Sequence, residues 1–289
     1  MPNYTINNKE QLRAIAKARI IDQSTPANIR IVAEGDSWFD YPLLDDILDH
    51  LCRMDYAVIK ESKAGNTLEE IVFGCDYSID KRTERATFHG RPAMAATLAS
   101  IRKYKPRFVL FSAGGNDIMG EEIRQFLNHA ATQPNALLRE DSFEDALTNC
   151  LQPGIETFIR RVLETDPTVD ILMDGYAVPF PTGRQFQLAG IGLSGPWLLP
   201  NFARKGITRF QDQRQILEHL VKRFNEMLAS LAQKYEQFHY LDLRGMFRDP
   251  SDWRDEIHLI PKNFGKVAEV YHQKMQELSQ LDQPIRVAS

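Results

Sequence analysis

Three sites in this chain carry residues whose types and spacing could do chemistry: a serine, a histidine with a carboxylate three residues before it, and an asparagine behind two glycines. Ser37 lies in IVAEGDSWFDYP, where an apolar, β-branched run stops at Gly35, Asp36 and Ser37. A serine hydroxyl is a weak nucleophile until a base takes its proton. DWRDEIHLIPKNFG supplies that base as His258, with Asp255 placed to reach imidazole Nδ1, fix its tautomer and leave Nε2 facing a serine. Asp252 is a competing carboxylate. Acyl transfer also needs donors aimed at a developing oxyanion. FSAGGNDIMG offers Gly114, Gly115 and the Asn116 amide, and ESKAGNTLEE offers the Gly65 N–H. Each feature has a plainer reading: Ser37 as a helix cap, Asp255 and His258 as an exposed loop pair, and the glycines and asparagine as turn formers.

The elements around these residues decide whether they can meet. Strand-length apolar runs recur at residues 29–35, 56–62, 107–113, 169–175 and 238–243. Helical spacing lies between them. Leu43, Ile47, Leu48 and Leu51 share one face. Leu217, Leu220, Val221, Phe224, Met227, Leu228 and Leu231 form a longer stripe, and Val267, Val270, Tyr271 and Met275 form another. Leu147, Cys150 and Leu151 continue into Ile155, Phe158, Ile159 and Val162 across Pro153, which should kink or split that helix. Strand and helix in alternation predict a five-stranded parallel sheet covered by helices on both faces. In such a sheet the carboxyl ends of strands are where ligands bind, and four of those ends carry the residues above.

One doubly wound domain spanning residues 1–289 accounts for the pattern, with two segments outside it. Residues 76–91 are charged and aperiodic. Residues 176–207 are rich in Gly, Pro and aromatics, the length and composition of a lid or binding loop. Gly190, Gly192 and Gly195 spell a dinucleotide fingerprint without its strand and helix, and Ser194 lacks the last glycine of a hydrolase elbow. The formal charge of −4 gives no basic footprint for nucleic acid. No run is long and apolar enough for a membrane span. The N-terminal stretch shows no secretory h-region, and Cys52, Cys75 and Cys150 read as reduced thiols, so a cytoplasmic location is expected.

The ordered blocks Gly35-Asp36-Ser37, Gly65-Asn66-Thr67, Gly114-Gly115-Asn116-Asp117 and Asp255-x-x-His258 resemble the SGNH or GDSL-like esterase and lipase superfamily, over nearly the whole chain. Trp38 stands where GDSL has leucine, and LIPKNFG replaces the common HP turn. The resemblance implies a flavodoxin-like three-layer α/β/α sandwich and no metal or cofactor. It also implies Ser37 as nucleophile, His258 as base, Asp255 as its partner, and an oxyanion hole from the Ser37 N–H, Gly65 N–H and Asn116 amide. The expected activity is cleavage of a small-molecule carboxylic ester through an acyl enzyme. Activity should rise as the imidazole loses its proton, because only the neutral ring is a base. Trp38, Phe39, Phe180 and Trp197 are candidates for the substrate pocket, although aromatics of this kind more often pack. A non-catalytic binding module, a carbohydrate deacetylase and an acyltransferase are the competing functions.

Overall fold

A computed structural model of the 289-residue chain describes residues 9–22, 24–74, 77–88, 92–188 and 191–281. The chain opens with helix α1 (Lys9–Ile21), then β1 (Arg30–Gly35), α2 (Ile47–Arg53), β2 (Ala57–Lys60) and α3 (Leu68–Val72). A hairpin of β3 (Tyr77–Asp80) and β4 (Arg85–Phe88) follows, then α4 (Met94–Tyr104), β5 (Phe108–Ser112) and α5 (Gly115–Met119). Next come α6 (Glu140–Ala146), α7 (Gln152–Thr165), β6 (Asp170–Asp174), and a second hairpin of β7 (Phe186–Leu188) and β8 (Ile191–Ser194). The chain ends with α8 (Leu199–Arg204), α9 (Phe210–Lys234), β9 (Phe238–Leu241) and α10 (Pro261–Leu281).

The central sheet has five parallel strands in the order β2-β1-β5-β6-β9. Its apolar runs are buried on both faces, as in β1, where Ile31, Val32 and Ala33 are inaccessible to solvent. Parallel strands of this kind must be joined by crossover helices, and here α1, α2 and α10 pack together in one layer while α4, α7 and α9 pack in the other. The strand order is flavodoxin-like. It reverses at β1, so the crevice at the carboxyl ends of β1 and β5 is the switch point where ligands bind in such folds.

Helix stripes are buried as their spacing predicts along α9, and along α10 for Val267, Tyr271 and Met275, with Val270 only partly buried at the edge of the stripe. Three local expectations change. Leu43 is half exposed with φ +65°, outside α2, because Asp46 starts that helix with a capping box that accepts from the N–H groups of Leu48 and Asp49. The helix around Pro153 neither breaks nor splits: a π-helical turn, Leu147–Leu151, joins α6 to α7 and leaves the proline in the first turn of α7. That wider turn swings Cys150 off the buried face to the surface. The segments expected to be irregular hold the two hairpins and α8; Cys75 and Gly190 lie outside the described residues.

Candidate active site

Ser37 follows directly from the close of β1. The Asp36 N–H donates to the Ser112 carbonyl at 3.0 Å, continuing the β1–β5 pairing by one residue. The Asp36 carboxylate then accepts the Trp38 N–H at 2.9 Å, the Tyr176 hydroxyl at 2.6 Å and the Ser112 hydroxyl at 3.4 Å. The turn that presents Ser37 is therefore tied on one side to the neighbouring strand and on the other to the loop after β6. Burial pushes the Asp36 carboxyl above the usual carboxylate range, against the pull of Tyr176 and Trp38. Ser37 is not a helix cap, since α2 begins ten residues later at its own cap, Asp46.

The Asp-x-x-His spacing is explained by the loop that carries it. Asp255 Oδ1 accepts the backbone N–H groups of Ile257 at 3.0 Å and His258 at 2.8 Å, so the carboxylate holds the turn that brings the imidazole round to it. His258 Nδ1 then lies 2.9 Å from Asp255 Oδ2 and 3.0 Å from Oδ1. A carboxylate only accepts, so Nδ1 carries the proton and Nε2 is the acceptor facing Ser37 Oγ at 2.8 Å. Burial alone would push the Asp255 carboxyl up. The attraction of the imidazole once it is protonated, its hydrogen bond and the two N–H donors outweigh burial and hold the carboxyl below its ordinary range. Asp252 is occupied elsewhere, accepting the Asp249 N–H and the Asn263 amide.

Tyr41 braces the same pair. Its hydroxyl donates to Asp255 Oδ2 at 3.0 Å and its ring stacks on the imidazole, centroids 4.5 Å apart and planes 25° apart. The Trp197 ring meets His258 edge-on at 5.5 Å. Tyr41 carries no spacing signal, being one aromatic among three after the serine; only the distant Asp255 gives its hydroxyl a purpose.

Two of the three donor segments are tied together. Asn116, in the first turn of α5, donates from Nδ2 to the carbonyl of Asn66 at 2.8 Å, which ties it to the loop holding Gly65 and leaves one amide hydrogen available. Gly65 has φ +86°, and a Cβ there would meet nothing within 4 Å. Among the described residues, the N–H groups of Ser37 and Gly65 have no hydrogen-bond partner.

Ser37 and Asn116 line a cleft of about 450 Å³, counted out to its open mouth, whose other walls are mostly apolar: Trp38, Met119, Tyr176, Phe224, Trp253 and Ile257 among them. Apolar walls with a few convergent polar groups are the character of a small-ligand site. Trp38 is held by its indole N–H on the Ile257 carbonyl and by edge contacts with Tyr176 and Phe264. Phe39 is not among the cleft's lining residues: it is fully buried, with its ring against that of Tyr271. Phe180 is buried too, between Trp253 and the Arg214 guanidinium, outside the lining.

A carboxylate the sequence reading passed over is Glu256, fully buried between Asp255 and Ile257 and bound to the N–H groups of Gly183, Leu198 and Leu199. Its only sequence signal is a second acid beside Asp255.

No curated protein matches the chain. Among solved structures it is similar to a family 3 carbohydrate esterase from Clostridium thermocellum, at 13% identity with 88% of this chain and 99% of the other covered and a TM-score of 0.46. An extracellular lipase from Streptomyces rimosus is similar at 11% identity, with 84% and 98% covered and a TM-score of 0.49. Phospholipase A1 from Streptomyces albidoflavus is similar at 11% identity, with 85% and 98% covered and a TM-score of 0.46. No helix among the described residues is long and apolar enough to cross a membrane. The model of the GDSL-like Lipase/Acylhydrolase family matches residues 54–262, a span that begins after Ser37 and takes in Gly65, Asn116, Asp255 and His258, and the chain belongs to that family.

Proposed function

We propose that the protein is a serine ester hydrolase with Ser37 as nucleophile, His258 as general base and acid, and Asp255 as the group that orients and charges the imidazole. The observation that carries this reading is the unbroken hydrogen-bond chain from Ser37 Oγ through His258 to Asp255, at 2.8 and 2.9 Å, on the wall of an apolar cleft. As Ser37 Oγ bonds to the ester carbonyl carbon, its proton passes to Nε2, and the carbonyl oxygen becomes an anion facing the Ser37 N–H, the Gly65 N–H and the free Asn116 amide hydrogen. Preorganised donors of this kind lower such a barrier by several kcal/mol. Collapse breaks the bond to the alcohol, which leaves with the proton from Nε2. Water then adds to the acyl enzyme by the same path, and the carboxylic acid is released with Ser37 regenerated.

The cleft favours an apolar acyl group, since Trp38, Met119, Phe224 and Ile257 are among its lining residues. Residues 176–207 are the insertion of a single hydrolase domain in this reading. Free thiols at Cys52 and Cys150 suit a reducing, cytoplasmic setting. Intact-protein mass after a fluorophosphonate probe tests the assignment without knowledge of the substrate. One adduct is expected on the native protein and none on Ser37→Ala, with p-nitrophenyl butyrate hydrolysis falling at least about a thousandfold in that variant. Equal labelling or equal turnover by Ser37→Ala would refute Ser37 as nucleophile, and an unlabelled native protein would favour a binding module. Product analysis with an added alcohol separates hydrolysis from acyl transfer.

A further inference from the structure

Acyl transfer has no use for Glu256, yet its side chain is fully buried, and a buried carboxylate persists only where hydrogen bonds replace its water. Oε2 accepts the Leu198 N–H at 2.6 Å, and Oε1 accepts those of Gly183 at 2.9 Å and Leu199 at 3.0 Å. All three donors belong to residues 176–207, and they flank the β7–β8 hairpin, Gly183 before it and Leu198 and Leu199 after it. Outer links run in parallel: Arg184 donates to the Pro250 carbonyl, and Arg254 donates to the Gln187 carbonyl, both at 2.9 Å. Each joined segment contributes to the cleft, Tyr176, Ala177 and Pro179 from the insertion, Trp253 and Ile257 from the histidine loop.

We propose that Glu256 is a positioning residue that clamps residues 176–207 onto the His258 loop, so that the insertion is a fixed wall of the acyl cleft rather than a lid, and that this clamp sets which acyl groups the cleft accepts. The selectivity half of the proposal rests on the serine-hydrolase reading; the clamp half does not. Three charge-assisted hydrogen bonds to backbone make the contact directional. Trp197, one residue before Leu198, is held edge-on to the imidazole by the same contact.

Amide exchange on the intact protein tests the clamp with no substitution and no substrate. The amides of Gly183, Leu198 and Leu199 should exchange at least about a hundredfold more slowly than those of the exposed hairpin residues Gly192 and Leu193. Exchange at the hairpin's rate would overturn the clamp. Glu256→Gln tests selectivity. Its single carbonyl can keep at most part of the contact, so the ratio of kcat/KM for p-nitrophenyl octanoate over acetate should rise about fivefold or more, through KM, while the fluorophosphonate still labels Ser37. An unchanged ratio in a labelled variant would overturn Glu256 as a determinant of selectivity, because a residue that only stabilises the fold would shift the melting temperature and leave the ratio alone. If Glu256→Gln does not fold, exchange on the native protein decides the clamp, and the same ratio measured in Glu256→Asp, whose carboxylate keeps its charge but is one methylene short of the three amides, decides selectivity. A native protein that neither labels nor hydrolyses any ester refutes the hydrolase reading, and with it the selectivity half, while exchange still decides the clamp.

Discussion

Tyr41 acts on the imidazole in two ways that a single substitution separates. Its ring limits tilt by stacking, and its hydroxyl gives Asp255 Oδ2 a second donor beside His258 Nδ1. Burial and the Asp255 charge keep that hydroxyl protonated, so it is a donor at every pH where the fold persists. Tyr41→Phe keeps the stack and removes the donor. With its carboxylate less firmly placed, the His258 ring should hold its working orientation for less of the time; kcat should fall about tenfold, equivalent to about 1.4 kcal/mol, with KM unchanged. Steady-state kinetics on an activated ester measure this, and an unaltered kcat would confine Tyr41 to packing. Ser37, Asn116, Asp255 and His258 could be picked out from sequence because each follows a strand or sits in a short motif. Tyr41 and Glu256 could not, because each is explained only by a partner that folding brings close: the Tyr41 hydroxyl by Asp255, the Glu256 carboxylate by amides of the insertion. Phe39 looked like Trp38 in sequence, yet the turn sends the first into the core and the second to the cleft.

The contact between β1 and β5 is the element on which the serine depends. Gly35 pairs with Ser112, and a Cβ on Gly35 would collide with the Ser112 carbonyl oxygen, an acceptor already used by the Asp36 N–H. Backbone cannot move aside as a flexible side chain can, so Gly35→Ala must push the two strand ends apart. The expected cost is about 2–4 kcal/mol of stability, read as a lower denaturation midpoint, together with loss of probe labelling at Ser37 in whatever protein remains folded. Full stability and labelling would show that the strands can separate without consequence. The glycine of GDS thus has a steric reason that its sequence context hinted at only as a strand end. The five sheet strands were legible because doubly buried strands are short continuous apolar runs. The hairpins were not: YSID, RATF and IGLS alternate apolar with other residues, but four-residue runs are the shortest in which such a period can be read, and the charged or glycine-rich sequence around them hides it. The π-helical turn was invisible for another reason: one residue added to a helix changes which face Cys150 occupies without changing composition.

At the scale of the whole molecule, the fold gathers acidic groups beneath the crevice, and this gives its stability a direction with pH. Glu34, in β1 next to Gly35, accepts the Thr97 hydroxyl at 2.6 Å and the Gly35 N–H at 2.9 Å. Burial nevertheless pushes its carboxyl up to about 7. Asp174, at the end of β6 and bonded to the Tyr271 hydroxyl at 2.7 Å, is likewise pushed up to about 7 by burial. A carboxyl whose folded pKa lies above its unfolded one stabilises the fold fully below the unfolded value, and that contribution is lost as pH rises through the folded value. For Glu34 the window runs from 4.5 to about 7, and the loss is on the order of 3 kcal/mol at 1.36 kcal/mol per pH unit. Asp255 works in the opposite sense, its depressed carboxyl contributing stability that is lost only as pH falls into the acid range. The melting temperature should therefore decline between pH 5 and pH 8. Glu34→Gln isolates one source of that decline. A glutamine can accept the Gly35 N–H through Oε1 and donate from Nε2 to the Thr97 hydroxyl, so the hydrogen bonds survive while the titration is gone. The variant should match the native protein near pH 5, exceed it near pH 8, and show a visibly flatter curve between. If calorimetry across that range gives parallel curves for the two proteins, Glu34 does not titrate there, and the decline must be assigned to Asp174 or to the other buried acids.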